Sequence, residues 1–335
     1  MKKSKYKIAV LVCIVLLLLT VIISLMVGSY QMTPGEVIGT FLGNGDSMQR
    51  FTIYELRLPR VVLAVIVASA LGVSGGVLQA VTRNPLSEPG MIGINAGAAL
   101  FVVVWISAGT SAYYSELAAS KAFFMPLLAI MGSLLTVAVI YLFSYKRGIR
   151  PVRFILTGVG VNAGITAVIS FYQLNMSKGD YNQVLTWTNG SLWGSSWNYI
   201  IITLPLILVL IFFILFRSKV LDVLALGDEL AMGVGVSLQR EVLFFLILSS
   251  CLAAIATSVA GNIAFLGLLG PQIAKRLAGP SHRKMLPLSA GVSAVILVAA
   301  DTAARNLFSP IEIPVGIIVS IVGVPYFIYI MLKGK

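Results

Sequence analysis

Arg57 and Arg60 flank Pro59, Asp301 and Arg305 stand four positions apart, and Asp222, Asp228 and Glu229 fall within one short stretch. These types and spacings could do chemistry, and the chemistry is recognition, not bond-making. A guanidinium grips a carboxylate through parallel N–H donors and keeps its charge. Asp301 and Arg305, one helical turn apart, can pair on one face. Carriers of covalent chemistry are scarce. There is no G-x-x-x-x-G-K-[ST] loop to cradle a nucleotide. The one histidine, His282, sits among bases, and no His/Cys/carboxylate cluster has metal-ligand spacing. Cys13 and Cys251 lie in apolar runs and read as small buried hydrophobes. The sequence therefore offers no catalytic residue and no metal ligand.

The elements that must position these groups are membrane helices. The 335 residues are 58% hydrophobic and 11% charged. The apolar runs are continuous, where barrel strands would alternate. Ten segments qualify as spans: 8–28, 60–80, 91–108, 122–143, 153–174, 197–216, 242–260, 263–275, 286–304 and 314–332. With the N-terminus inside, six of the 24 bases (Arg50, Arg57, Arg60, Lys121, Lys178, Arg305) fall outside and the other 18 inside. That bias predicts cytoplasmic termini, and it explains a net charge of +12 without nucleic acid. The short 263–275 segment is retained because the crossing keeps Lys275, Arg276, Arg283 and Lys284 inside. The expected fold is all-α, one polytopic membrane domain over 1–335. Gly72–Gly76, Gly93–Gly97 and Gly160–Gly164 fit G-x-x-x-G and read as packing within the chain. Trp187, Trp193 and Trp197 read as interfacial aromatics or as the mouth of a ligand path.

Four blocks carry a resemblance. Residues 261–288 read GNIAFLGLLGPQIAKRLAGPSHRKMLPL, and residues 56–97 read LRLPRVVLAVIVASALGVSGGVLQAVTRNPLSEPGMIGINAG. The third joins Asp301–Arg305 to Glu312–Gly316 and Gly323–Phe327, and the fourth is WTNGSLWGSSW from Trp187. In their order along the chain, 56–97, 187–197, 261–288 and 301–327, they resemble the FecCD-type permeases, membrane subunits of ABC importers for iron-siderophores, haem and cobalamin. Pro271-Gln272 departs from the family's usual Pro-His. Gln272 hydrogen-bonds without titrating, so the position reads as structural.

The resemblance implies a bacterial plasma-membrane protein with a cobalamin-importer-permease-like fold and a second permease subunit, identical or related. Two cytoplasmic ATPases would carry ATP and Mg, no cofactor being bound by this chain, and an extracytoplasmic siderophore-binding protein would dock above. Arg57, Arg60 and Arg305 would receive that protein's carboxylates, where spacing alone reads first as interfacial anchoring. Within the 217–241 connection, Asp222, Leu224, Leu226, Gly227, Asp228, Glu229, Met232 and Gly233 would form the ATPase coupling element. Composition alone gives two short amphipathic surface helices joined by a turn. The implied cargo is an iron(III)–siderophore, with haem or cobalamin as alternatives. The different-class rival is a carrier driven by an ion gradient. Such carriers usually place ionisable groups near the midplane, and here only Asp301, near the outer end of its span, is a candidate.

Overall fold

The computed structural model describes residues 3–107, 119–145, 151–307 and 311–333. Lys2, Lys146, Arg147, Arg150 and Lys335, counted above as inward bases, lie outside the described residues, as do the side chains of Lys3, Lys121 and Lys333. The regular elements among the described residues are helices. The chain opens with α1 (Lys3–Met26), α2 (Pro34–Phe41) and α3 (Ser47–Arg50), which passes through a π-helical turn, Phe51–Arg57, into α4 (Leu58–Thr82). There follow α5 (Pro89–Ile92), α6 (Ile94–Ser107), α7 (Ala119–Ser144), α8 (Pro151–Leu174), α9 (Lys178–Thr188) and α10 (Trp197–Phe216). The rest is α11 (Ser218–Leu224), α12 (Asp228–Gly233), α13 (Leu238–Ala260), α14 (Leu266–Ala278), α15 (His282–Asn306) and α16 (Val315–Lys333). Among the described residues, eight helices are long and apolar enough to cross a bilayer. The other two expected segments fall on α6 and α14, of 14 and 13 residues. Both are shorter than the roughly 20 residues a full crossing needs.

The core is built around α4, which packs against α13, α14 and α15. Its glycines set the approach. A Cβ on Gly75 would stand 1.8 Å from the Gly267 carbonyl oxygen, and one on Gly72 would meet Ser293 Oγ at 2.3 Å. Pro271 prepares this crossing. It lacks the N–H that would bond Gly267 O within α14, and that oxygen accepts from Gln79 Nε2 at 3.3 Å instead. Serine hydroxyls add cross-helix bonds: Ser74 Oγ to Ser249 O (2.7 Å) and Ser289 Oγ to Gly72 O (2.9 Å). Gln272, as expected, is structural, with Nε2 2.8 Å from both Gln79 Oε1 and Pro85 O.

Gly93 and Gly97 also pack inside the chain, against α8 and α7. Gly160 and Gly164 do not. Added Cβ atoms there would meet nothing within 4 Å, so the expectation of internal packing fails for this pair. It lies on an outward face of α8, with Ala163, Ala167 and Ser170. The exposed faces of α1 and α10 carry bulky Leu, Ile and Phe, as does α8 itself at Leu156 and Phe171. Replacing Gly75 by Ala should lower stability by about 1–3 kcal/mol through overpacking, while Gly39→Ala, where a Cβ meets open space, should not. Thermal unfolding of the two purified variants checks this.

Candidate functional site

Three regions bring the chemistry-bearing residues together. At the end expected to face outward, Arg60 Nε lies 3.0 and 3.1 Å from the two oxygens of Asp301, and its Nη2 donates to Asp301 Oδ1 at 2.9 Å. Its Nη1 donates to Glu312 Oε2 at 2.8 Å. Arg305 Nε stands 3.3 Å from Asp301 Oδ2, and its Nη2 donates to Ser24 Oγ at 2.7 Å. The i,i+4 pair inferred for Asp301 is therefore present, but the shorter contacts of that carboxylate come from α4. Arg57 donates to the carbonyls of Leu25 and Tyr30. Arg57 is 4%, Arg60 9% and Asp301 1% exposed, so the arginines do not present free guanidiniums at an outer mouth. Three guanidiniums against two carboxylates leave one positive charge in excess. Glu312 is the accessible member, its side chain 40% exposed.

The second region is the break between α13 and α14. Gly261 has φ +67°, and a Cβ there would lie 1.7 Å from Trp187 O. Phe265, a non-glycine residue, has φ +64°, a conformation costing about 1–3 kcal/mol. Surrounding groups hold it. Ser191 N donates to Ala260 O (2.9 Å), Gly316 N to Gly190 O (3.1 Å), and Phe265 N to Glu88 Oε1 (3.2 Å). Asn95 Nδ2 donates to Asn262 Oδ1 at 2.9 Å. Beside the break is a cavity of about 610 Å³ lined by Thr188, Asn189, Asn262, Ala264, Ser320, Ile321 and neighbours, with no charged residue. Trp187 is 1% exposed and packs under this region, which excludes it as an interfacial aromatic. Trp193 is exposed, and Trp197 Nε1 donates to Tyr54 O at 2.9 Å.

Glu88, which the sequence analysis did not single out, is the anchor of this break. It is buried in the loop after α4, where desolvation raises its carboxyl from 4.5 to about 7 against a smaller opposing effect of the Phe265 N–H. Its signal was available: an acid inside an otherwise apolar or Pro/Gly-rich run, NPLSEPG.

The third region is the connection between α10 and α13, which is indeed two short helices, α11 and α12, around Gly227 at φ +119°. Asp222 accepts from His282 N (2.7 Å) and lies 2.6 Å from His282 Nδ1. Leu224 is buried. Asp228 pairs with Arg83, the residue that caps the end of α4 at φ +50°. Leu226, Leu230, Met232 and Val234 are exposed, with Glu229 and Gly233 beside them. One face of the element is thus bonded to the helix bundle, and the other shows an apolar ridge to solvent.

Residues 16–333 match the model of the FecCD transport family. The chain is 40% identical over 334 residues to the iron(3+)-hydroxamate import system permease protein FhuG of Bacillus subtilis (strain 168), covering 100% of this chain and 99% of that protein. It is 38% identical to the iron-uptake system permease protein FeuC of the same organism, over 96% of each. A solved structure described as an inward-facing conformation of a metal-chelate type ABC transporter superposes with a TM-score of 0.84 at 28% identity, covering 98% of this chain and 99% of that one.

The raised Glu88 carboxyl makes stability pH-dependent. Between pH 4.5 and about 7 the unfolded chain releases this proton before the folded one does, so stability falls as pH rises through that window and the loss is complete above it. Glu88→Gln keeps an acceptor for Phe265 N and removes the ionisation. The variant's unfolding midpoint should gain on the wild type as pH rises across the window; an unchanged difference would contradict the assignment.

Proposed function

The chain belongs to the FecCD transport family, and from that premise we propose that it carries iron(III)–siderophore complexes inward as one permease domain, 1–335, of an ABC importer. It is a multi-pass membrane protein and a translocation component. The observation that carries the cargo reading is the 40% identity, over the whole chain, to an iron(3+)-hydroxamate permease. The uncharged cavity beside the 261–265 break supports it, because a cargo with its metal already chelated needs no ligating side chain from the path.

Both termini face the cytoplasm in this reading. A second permease covers the small-residue face of α8 and the exposed part of α16, so that the cavity at Asn262 and Ile321 becomes half of a shared path. Two ATPases, which hold ATP and Mg, dock on the ridge of Leu226, Leu230, Met232 and Val234. An exposed apolar patch of this kind calls for a partner. Asp222 and Asp228 sit behind the ridge and pass its displacement to α15 and α4 through His282 and Arg83. The chain itself does no hydrolysis. ATP on the partner shifts the pore between outward-open and inward-open populations.

At the outer face, the carboxylates of a siderophore-binding protein meet the positive excess around Arg57, Arg60 and Arg305. Burial makes this an exchange: an incoming carboxylate takes a guanidinium that Glu312 now shares. Glu312→Gln removes the competitor and should tighten binding-protein affinity about threefold to tenfold, measured by titration against the reconstituted complex. Unchanged affinity would count against docking at Arg60.

Uptake of labelled ferric siderophore into proteoliposomes tests the whole reading. It should require the ATPase subunits and ATP, and should survive a protonophore. Uptake without ATPase that a protonophore abolishes would establish the gradient-driven alternative. Replacing 222–233 by a Gly/Ser linker should release the ATPase from the purified complex.

A further inference from the structure

A groove on the outside of the bundle, between α1 and α14 with α15 as its floor, has the dimensions and charge of a lipid site. It encloses about 500 Å³. Ile8, Val12 and Leu16 form one wall, Ile273 and Leu277 the other, and Val295 lies in the floor. Its polar boundary is one-sided. Lys5 and Arg276 line the cytoplasmic end, and no acid lines the groove. Among the described residues neither cation has a carboxylate partner. Arg276 is held by aromatic faces, its guanidinium carbon 5.7 Å from the ring centroids of Tyr326 and Tyr329 on α16. Lys284, at the same end, stands 5.7 Å from the centroid of the Tyr6 ring.

The length matches one leaflet. From Lys5 to Leu16 the α1 wall runs about 16 Å at 1.5 Å per residue, roughly half of a hydrocarbon core about 30 Å thick. An acyl chain lying in the groove from the cytoplasmic side brings its headgroup to Lys5 and Arg276. Unpaired cations at that depth select a headgroup with net negative charge over a zwitterionic one.

We propose that this groove binds one anionic phospholipid of the cytoplasmic leaflet, its phosphodiester on Lys5 and Arg276 and one acyl chain along the groove. The assignment rests on the inward placement of the basic helix ends and is independent of the cargo. The lipid fills the gap between α1 and α14, and so ties the first helix to the helix that carries the 261–265 break.

The test is native mass spectrometry of the full chain, in its permease complex, titrated with phosphatidylglycerol and with phosphatidylcholine of the same acyl length. The wild type should retain phosphatidylglycerol at least fivefold better. Lys5→Ala with Arg276→Ala should bring the two lipids to parity. Val295→Trp, which fills the groove and keeps both charges, should reduce retention of both. Inorganic phosphate at the same concentration should not displace the lipid, since it lacks the chain that the groove holds. A preference that survives the double charge substitution overturns the site. So does loss of the permease–permease contact in Val295→Trp with lipid retention unchanged, which would assign the groove to a second copy of the chain. Proteoliposome uptake is read separately, so a failed transport assay leaves this result standing on its own.

Discussion

A helix may be broken inside a membrane protein only where other protein groups take up the backbone donors and acceptors that the break releases. The break between α13 and α14 meets this condition through one bond at each edge, with a third just beside it. Ser191 reaches Ala260, Glu88 reaches Phe265, and Gly316 reaches Gly190 beside them. Each brings its own element to the same point, so α9, the loop after α4, and the start of α16 converge there. Glycine makes the convergence geometrically possible, since Trp187 O occupies the place where a Cβ of Gly261 would stand. The cavity beside the break, the burial of Trp187 and the left-handed Phe265 all follow from satisfying one interrupted helix.

The same loop that supplies Glu88 begins at Arg83, the partner of Asp228 on α12. Between them, Leu86 N bonds Asn84 Oδ1 (2.9 Å), Ser87 Oγ bonds Thr82 Oγ1 (2.7 Å), and Pro85 O accepts from Gln272 of α14. A six-residue stretch thus joins α12 to the break, and internal hydrogen bonds keep it short and stiff. A second tie runs from Asp222 to the start of α15. Packed cores and bonded loops shift between discrete arrangements instead of deforming smoothly. A displacement at α12 therefore has a direct covalent and hydrogen-bonded route to the residues lining the cavity.

What the sequence disclosed follows from what each signal measures. Hydropathy and the count of bases report depth and side, so all ten expected segments fall on helices, and the amphipathic 220–239 stretch is two short helices as its glycines suggested. Neither signal reports rotation about a helix axis or a partner 241 residues away. Arg60 was legible as an outer arginine, yet its bidentate grip on Asp301 was not. Gly75 and Gly160 look alike in sequence, while one touches a carbonyl and the other touches nothing. Trp187 and Trp193 sit in one motif, and only Trp193 is exposed. Glu88 was overlooked because its significance lies in the N–H it caps, on a helix 177 residues downstream.

The distribution of charge separates the two ends of the protein from its middle. Between α4 and α15, Asp301 stays buried because two guanidiniums compensate it; removing either partner from such a cluster leaves an ion in low dielectric, at a cost of about 3–5 kcal/mol. The end with α11 and α12 carries the Arg83–Asp228 pair near the surface, both members partly exposed, where an ion pair contributes little to stability. The cavity between has Asn, Thr and Ser but no ion. The buried cluster at one end, the exposed pair at the other and the uncharged cavity are thus three distinct electrostatic settings in one helix bundle. Glu88, whose carboxyl is raised to about 7, lies behind the break and is not among the residues that line the cavity.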